Sequence, residues 1–212
     1  EIPFVARVKP VLDTGHGRSI MSVEEREEQM RNTILLISLL AVLGFSQNLL
    51  VNGDFEQDLS VGWTQSGSGT YYMDRQTGYN PDPDYEAFDS LYNFGFGKLS
   101  QIVDAPGVTL SLDFWAKFEL GGGSSSCWPV AAVTVEYYDA SSVLLGQSLI
   151  YWHNEYCLWT PSGNLSLIPV TTPDWTHYTL DIAQEVSSNL PGVNPGDVTK
   201  VGIALWDTTS GG

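Results

Sequence analysis

Apolar and polar side chains alternate along several stretches of the chain after residue 108. The alternation is longest between residues 109 and 120, where one phase is apolar throughout: Leu110, Leu112, Phe114, Ala116, Phe118 and Leu120. The same period of two recurs in 131–138, 176–182 and 200–206. Side chains on a strand point alternately to opposite faces, so a strand that is packed on one face and wet on the other has this pattern. The sequence therefore predicts antiparallel strands with one buried face.

Helical periodicity is nearly absent, and turn-forming residues separate the predicted strands. Pro, Gly, Asn, Asp and Ser are concentrated in 80–84, 121–126 and 191–196, and the single helix candidate is 183–188. We find no internal repeat and no second domain. Two stacked antiparallel sheets satisfy this pattern, so the predicted fold class is an all-β antiparallel β-sandwich. Its interior is expected to contain Leu112, Val133, Leu180 and Ile203.

The N-terminal part of the chain contains a short apolar run of a different character. Residues 34–45 are almost entirely apolar, Arg31 precedes them, and the small side chains of Gly44 and Ser46 suit signal-peptidase cleavage after Ser46. The run is too short to cross about 30 Å of hydrocarbon as a helix. The sequence therefore predicts a signal peptide at 30–46, with a buried core helix or a membrane anchor as the alternative. The expected location is secreted or at the cell surface, without membrane insertion after cleavage.

The ends of the chain carry two further expectations. A signal peptide begins near its Met, so translation is expected to start at Met30, and residues 1–29 are expected to be upstream read-through or a disordered tail. The β-sandwich domain is then 47–212. Residues 207–212 have the composition of a turn that leads into another strand. We therefore expect the domain to lack its last strand here and to continue past Gly212 as part of a larger protein.

The charge of the chain is strongly acidic. The chain contains 25 Asp and Glu residues against 9 Lys and Arg residues. Six of those acids and five of those bases lie in residues 1–46, which leaves 19 acids and 4 bases in the predicted domain. Such a surface repels phosphate groups, so neither nucleic acid nor an anionic membrane is expected as a partner. It suits solubility outside the cell and the binding of divalent cations.

The chain has two cysteines, Cys127 and Cys157. An exported chain with two cysteines is expected to form one disulfide. The strands on either side of residues 140–144 are predicted to form a hairpin, and pairing Val135 with Leu149 would place the two cysteines opposite each other at its open end. A bridge there would close a loop of about 30 residues and contribute about 3 kcal/mol.

Several short motifs resemble those of one protein family. In chain order they are 48–56 (Asn-Leu-Leu-Val-Asn-Gly-Asp-Phe-Glu), Gly62-Trp63, 99–103, 110–116, 174–181 and 200–206. Together they resemble the galactose-binding-like β-sandwich modules, which include many bacterial carbohydrate-binding modules. The resemblance spans most of 47–212. It implies a jelly roll whose ligand is a polysaccharide or another glycan.

In that family the opening motif commonly helps to hold a structural calcium ion. By this resemblance, Glu56 would supply a carboxylate, and the turn from Asn52 to Asp54 would supply further oxygens. Calcium takes six to eight oxygen ligands in flexible geometry, which a turn with carboxylates can provide. The closing Asp of the family would follow Gly212. The alternative is that Asp54 and Glu56 only cap a turn.

Sugars present flat patches of C–H bonds on which aromatic rings stack, while polar side chains bind their hydroxyl groups. Three aromatic residues have the outward phase of their predicted strands, namely Trp115, Tyr138 and Trp206. Polar residues share that phase: Asp113, Lys117, Glu136 and His177. We predict that these residues form one glycan-binding surface.

Two alternatives to this surface remain open. A loop or a neighbouring module could cover the outward aromatic residues and make them a secondary core. The tryptophans near the cysteines, Trp128, Trp152 and Trp159, could instead pack over the disulfide or form a loop-borne site.

The sequence contains no Gly-x-Ser-x-Gly elbow, phosphate-binding loop or Cys-x-x-Cys pair. His153 and Glu155 share a strand face, but two metal ligands without a third are a weak signal. We therefore expect a protein that is not an enzyme: an exported carbohydrate-binding module joined to other modules of a larger secreted or surface protein. The alternatives are a structural or adhesive module without a small ligand, and an accessory domain of a hydrolase whose catalytic part lies beyond Gly212.

The cysteine pairing gives a first testable prediction. Because both cysteines are expected to be oxidised after export, mass spectrometry of the exported protein under non-reducing conditions should show no free thiol. Two peptides joined through Cys127 and Cys157 should separate on reduction. Alkylation of both cysteines without prior reduction would contradict the prediction.

Overall fold

The computed structural model describes residues 48–77, 84–92, 94–121 and 128–210. All of these residues belong to one compact unit, Asn48–Gly212. The predicted signal peptide at 30–46 and the segment before it lie outside the described residues. Within the described ranges, no helix is long and apolar enough to span a membrane.

Strands account for most of the described residues. In chain order the elements are β1 (Thr64–Ser68), β2 (Tyr71–Thr77), β3 (Tyr85–Leu91), β4 (Gly95–Asp104), β5 (Ser111–Ala116), β6 (Trp128–Tyr138), β7 (Leu144–His153), β8 (Leu165–Pro169), β9 (Thr176–Asp181), α1 (Ile182–Asn189), a 3₁₀ turn (Pro195–Asp197) and β10 (Lys200–Ser210). Strands are therefore present at each stretch in which the sequence alternates with a period of two.

Six strands form one large sheet in the order β1-β4-β10-β6-β7-β8. Its neighbours are antiparallel, except for β7 and β8, which run parallel. The other four strands form two small antiparallel sheets, β2–β3 and β5–β9. The architecture confirms the predicted all-β, mainly antiparallel β-sandwich.

One hydrophobic cluster fills the space between the large sheet and the small sheets. The inner face of the large sheet contributes Leu99 from β4, Val135 from β6 and Ile203 from β10. Leu112 of β5 and Leu180 of β9 pack against them from the other layer. The four residues predicted to share the interior all belong to this cluster: Leu112, Val133, Leu180 and Ile203.

The helix begins where β9 ends, because Asp181 caps it. The Asp181 side chain accepts a hydrogen bond from the backbone N–H of Gln184 at 2.9 Å, which satisfies one of the free donors at a helix N-terminus. Ile182 and Val186 then enter the core. The helix predicted at 183–188 is confirmed and is longer by one residue at each end.

A buried polar network joins this helix to the large sheet. Glu185 is buried, and its carboxylate accepts from the Ser148 hydroxyl at 2.8 Å and from Asn189 Nδ2 at 2.6 Å. The hydroxyl groups of Ser148 and Tyr137 are also bonded, at 3.2 Å. Burial raises the pKa of Tyr137. Because an unbonded carboxylate would be costly there, these bonds fix α1 against β6 and β7.

The outward face of β6 is buried, contrary to the prediction that it meets solvent. Ala132, Thr134 and Glu136 are all buried. A second hydrophobic cluster covers this face and includes Trp159, which follows β7, and Trp206 of β10. β6 lies between β10 and β7 in the sheet, so large side chains reach it from both sides. The alternative in which a loop covers outward residues therefore holds for this strand.

The predicted hairpin of β6 and β7 is present, but its predicted register is wrong by one residue. Val135 pairs with Ser148, and Leu149 pairs with Thr134. A bulge near Tyr137 accompanies a register shift at the closed end of the hairpin. The alternation of side chains along a strand does not by itself determine the register with its partner strand.

The register removes the geometric argument for placing the two cysteines opposite each other. Cys127 lies outside the described residues. Cys157 is buried in the second cluster, and burial raises the pKa of its thiol. The disulfide thus stays a prediction that rests on cysteine number and on export.

The core gives a testable prediction with a control on the same strand. Leu99 is fully buried, whereas Ile102 of the same strand is 50% exposed on the other face. Leu99→Ala should lower the free energy of unfolding by about 2–5 kcal/mol, because it removes contacts and leaves a cavity. Ile102→Ala should change it by less than about 1 kcal/mol. Urea unfolding followed by tryptophan fluorescence measures both, and similar losses would contradict the assignment of the two faces.

Candidate functional site

The opening motif folds into a turn that Asn52 holds together. The Asn52 side chain is buried, and its Nδ2 donates to the carbonyl oxygens of Gln57 and Asp58 at 3.0 and 3.2 Å. Its Oδ1 accepts from the backbone N–H of Gln57 at 2.8 Å, and its backbone oxygen accepts from Trp63 Nε1 at 3.0 Å. Asn52 has φ of 51°, a conformation that Asn tolerates better than most residues. Its predicted role as a metal ligand therefore competes with these bonds.

The other two predicted calcium ligands lie at the surface. Asp54 and Glu56 are exposed, and Glu56 Oε1 accepts from the backbone N–H of Tyr85 at 3.0 Å. Among the described residues, no group of three or more His, Cys, Asp or Glu side chains could hold a metal ion. The structural calcium thus remains a prediction.

One part of the predicted glycan surface lies on the outer face of β5 and β9. Trp115 is 51% exposed, and its ring lies 5.1 Å from the ring of His177. His177 Nε2 donates to Asp113 Oδ1 at 2.7 Å, and Thr179 Oγ1 donates to Asp113 Oδ2 at 3.1 Å. The hydrogen bond from His177 is the main cause of the lowered pKa of Asp113. Lys117, just beyond β5, pairs with Glu119.

The other predicted residues lie on the outer face of the large sheet. Glu136 of β6 accepts from Lys98 Nζ and from the Tyr138 hydroxyl, each at 2.6 Å. Burial, and then the bond to Glu136, raises the pKa of Tyr138. Gly202 makes room for this group, because a methyl group there would lie 3.1 Å from the Tyr138 ring. Trp206 pairs across the sheet with Lys98 of β4.

Aromatic rings continue from Trp206 across the same face. The Trp206 ring is stacked on that of Trp159 at 5.8 Å and 19°, and Trp159 is stacked on Tyr151 at 5.9 Å and 26°. Tyr151 in turn is stacked on His153 at 4.8 Å and 17°. We call these four residues the aromatic row. Trp159 and Trp206 are half-buried, so part of each ring remains accessible.

A groove opens beside the aromatic row. It has a volume of about 420 Å³ and is lined by Gln147, Leu149, Leu158, Trp159, Thr160, Leu165 and Trp206. A recess of about 80 Å³ adjoins it, because Gln147 and Trp206 line both, and the recess reaches Lys98, Thr134 and Glu136. The groove therefore combines aromatic surface with a carboxylate, an ammonium group and an amide. These are the groups that bind a hydroxyl-rich ligand.

The predicted single surface is wrong, because its residues lie on opposite outer faces of the sandwich. Asp113, Trp115, Lys117 and His177 belong to the β5–β9 side, whereas Glu136, Tyr138 and Trp206 belong to the large sheet. Lys98, Gln147 and Tyr151 also line the groove or the row and were not predicted as site residues. Their signal was weak: each occupies the outward phase of a strand whose partner strands were unknown. Trp159 had been considered for packing over the disulfide or for a loop-borne site, not for this face of the sheet.

Comparison with known proteins identifies no family. No family model matches the chain, and no curated protein matches it. Among solved structures, the enzymatically active domain of tailspike protein 4 of bacteriophage CBA120 is similar, with 16% identity and a TM-score of 0.43. The match covers 79% of this chain and 20% of that one, so the chain spans about a fifth of the tailspike chain. The resemblance to galactose-binding-like modules rests on the sequence motifs.

The turn at Asn52 gives a prediction that separates structure from metal binding. Asn52→Ala should lower the free energy of unfolding by about 2–4 kcal/mol, because the part-buried hydrogen bonds of its side chain to Gln57 and Asp58 are lost. Asp54→Ala, in the same turn but exposed, should have little effect in EDTA. Urea unfolding with calcium and with EDTA measures both, and the loss in Asn52→Ala should be equal in the two buffers. A loss seen only with calcium would show that Asn52 acts through a bound ion.

Proposed function

We propose that the protein binds polysaccharide through the outer face of its large sheet, along the groove beside the aromatic row. Trp206 is the central contact, because it borders the groove and the recess and is stacked on Trp159. This position of Trp206, between an aromatic wall and the Lys98–Glu136 pair, is the observation that carries the proposal.

The aromatic rings supply the apolar part of the binding energy. The C–H face of a pyranose ring is apolar and can lie flat on an indole ring, which excludes water from both surfaces. Trp159 and Trp206 stack nearly parallel on each other, and both line the groove. Leu149, Leu158 and Leu165 extend the apolar lining. A sugar chain is therefore expected to run along the groove and to contact several side chains at once.

The polar group at the recess supplies orientation. Glu136 is held by two hydrogen bonds, from Lys98 and from Tyr138, so its carboxylate does not need to reorganise when a ligand arrives. A preorganised carboxylate and ammonium group bind hydroxyl groups at low entropic cost. Gln147 adds an amide with both donor and acceptor atoms. Together these side chains would select the position of the sugar bordering Trp206.

The wider context of the proposal comes from the sequence. Export through the signal peptide at 30–46 would place the domain where polysaccharides are found, and the resemblance to galactose-binding-like modules agrees with a jelly-roll domain that binds sugar without cleaving it. A calcium ion near Asp54 and Glu56 would stabilise the opening turn without touching the ligand. The domain would deliver a larger secreted or surface protein to its polysaccharide.

The test compares tryptophans on the two faces. Trp206→Ala and Trp159→Ala should each weaken binding more than about tenfold, as expected for tryptophan at the centre of an interface. Trp115→Ala removes an exposed tryptophan from the opposite face and should leave binding unchanged. A glycan array finds the ligand, affinity gel electrophoresis in that polysaccharide measures the change, and thermal unfolding checks that each variant is folded.

Other outcomes identify other functions. Loss of binding in Trp115→Ala, with Trp206→Ala unaffected, would move the site to the β5–β9 face. The absence of binding to any glycan by the folded wild-type protein would favour the structural or adhesive alternative. Release of reducing sugar from a bound polysaccharide would show that the protein is an enzyme.

A further inference from the structure

Two carboxyl groups face each other inside the sandwich, and neither forms an ion pair with a cation of the described residues. Asp89 lies on β3 and Asp207 on β10, with Gly97 of β4 between them. The Gly97 backbone N–H donates to Asp207 Oδ1 at 2.8 Å. A methyl group on Gly97 would lie 2.6 Å from Asp207 Oδ1 and 2.7 Å from Asp89 Oδ1. Both oxygens therefore lie close to the same point beside Gly97, which places the two carboxyl groups next to each other.

Asp89 has little hydrogen-bond support for a negative charge: the backbone N–H of Ser90 favours the charged form, but it makes no hydrogen bond of standard geometry to the carboxylate. Both of its carboxylate oxygens are closed off from solvent, and neither has a hydrogen-bond partner among the described residues. An ionised carboxylate in such a place loses its hydration without compensation. A protonated carboxyl group, in contrast, is neutral and loses far less on burial.

The cations of the domain are directed elsewhere. On β2, Met73 lies opposite Asp89, and Arg75 donates to the Phe55 carbonyl and lies over the ring of Tyr85. Lys98 of β4 points to the other face of the sheet, toward Glu136. The two remaining basic side chains and the histidines are also distant, with the following partners: Lys117 with Glu119, Lys200 with Ser142, His177 with Asp113, and His153 with Asn154.

The other groups on the facing strands are neutral. Tyr71 shares the inward phase of β2 with Met73, Leu99 and Gln101 share the inward phase of β4 with Gly97, and Leu205 and Thr209 flank Asp207 on β10. Asp207 is thus the one charged group of the described residues that faces Asp89.

We propose that a proton held on Asp89, beside the carboxyl group of Asp207, acts as a latch that holds the β2–β3 sheet against the large sheet, and that loss of this proton releases it. The proton keeps Asp89 neutral where its strand packs against β4 and β10. Without it, two carboxylates repel each other in a site that water does not reach. The latch is thus a pH-sensitive contact built into the sandwich, independent of any ligand.

The direction of the pH effect follows from the shifted titration. Burial, reinforced by the charge of Asp207, raises the pKa of Asp89 from 3.8 to about 8, with a small opposing effect of the Ser90 N–H. Burial also raises the pKa of Asp207. The folded protein therefore keeps a proton that the unfolded chain has lost above about pH 4. Stability is complete below that pH and falls as the pH rises toward 8.

The experiment compares wild-type protein with Asp89→Asn, whose amide mimics the protonated acid at every pH. Relative to Asp89→Asn, the unfolding equilibrium constant of the wild type should rise about tenfold per pH unit between pH 5 and pH 8 and level off above that range. The exposed Asp174→Asn is the matched control and should follow the wild type. Urea unfolding at each pH measures all three, and parallel curves for wild type and Asp89→Asn would overturn the latch.

A local readout tests the same contact in the folded state. Met73 is the single methionine of Asn48–Gly212, and its methyl group lies 3.1 Å from a methyl placed on Gly97. The ¹³C-methyl resonance of Met73, identified with Met73→Leu, should shift with a midpoint near pH 8 in the wild type and stay constant in Asp89→Asn. Asp207→Asn should lower the midpoint, because the repulsion is gone.

Two results would overturn the latch. One is a Met73 resonance that does not move between pH 6 and pH 10. The other is a rise in melting temperature with calcium that Asp89→Asn abolishes, because the carboxyl pair would then hold a cation rather than a proton.

Discussion

The structure depends on the pairing of β10 with both β4 and β6. Without β10, the large sheet would separate into β1–β4 and β6–β7–β8, since β10 is the single link between them. Its inward residues, Val201, Ile203 and Leu205, also bring the core of the two halves together. β4 precedes β10 by about a hundred residues, so the sheet closes by pairing segments that are distant in sequence. Such pairing is slow to form, and it makes the whole domain sensitive to this one strand.

Local information in the sequence was sufficient for β5, β6, β7, β9 and β10, for the helix and for the interior, but β1, β2, β3 and β8 were not predicted. Alternation with a period of two is decided within a single strand, and each inward phase that the sequence indicated enters the core. The helix also has a local cause in the structure, because Asp181 caps it just before Ile182 and Val186. The fold class then followed, since strands with one apolar face must stack in layers to bury it.

The sequence did not show which strands lie side by side in the sheets or in which register they pair, and the errors have this origin. Trp115 and Trp206 both have the outward phase, yet outward means opposite directions in the two layers of a sandwich. Only the pairing of β5 with β9, and of β10 with β4 and β6, shows that the two tryptophans lie on different faces. The hairpin register failed by one residue because the apolar residues of β6 and β7 fit either face: both faces of β6 are buried. Trp159 covers that face from a loop, and a loop has no periodic pattern from which this contact could be predicted.

The four basic side chains of the acidic domain show how charge is distributed between its surfaces. Lys98 is placed against Glu136, so the one buried carboxylate on the outer face of the large sheet has a partner. No such partner accompanies Asp89 and Asp207 on the inner side among the described residues. Trp206 and Asp207 are neighbours on β10 and point to opposite faces, so the groove and the buried carboxyl pair share one strand. The strand that carries one half of the proposed latch therefore also carries the central contact of the proposed binding site.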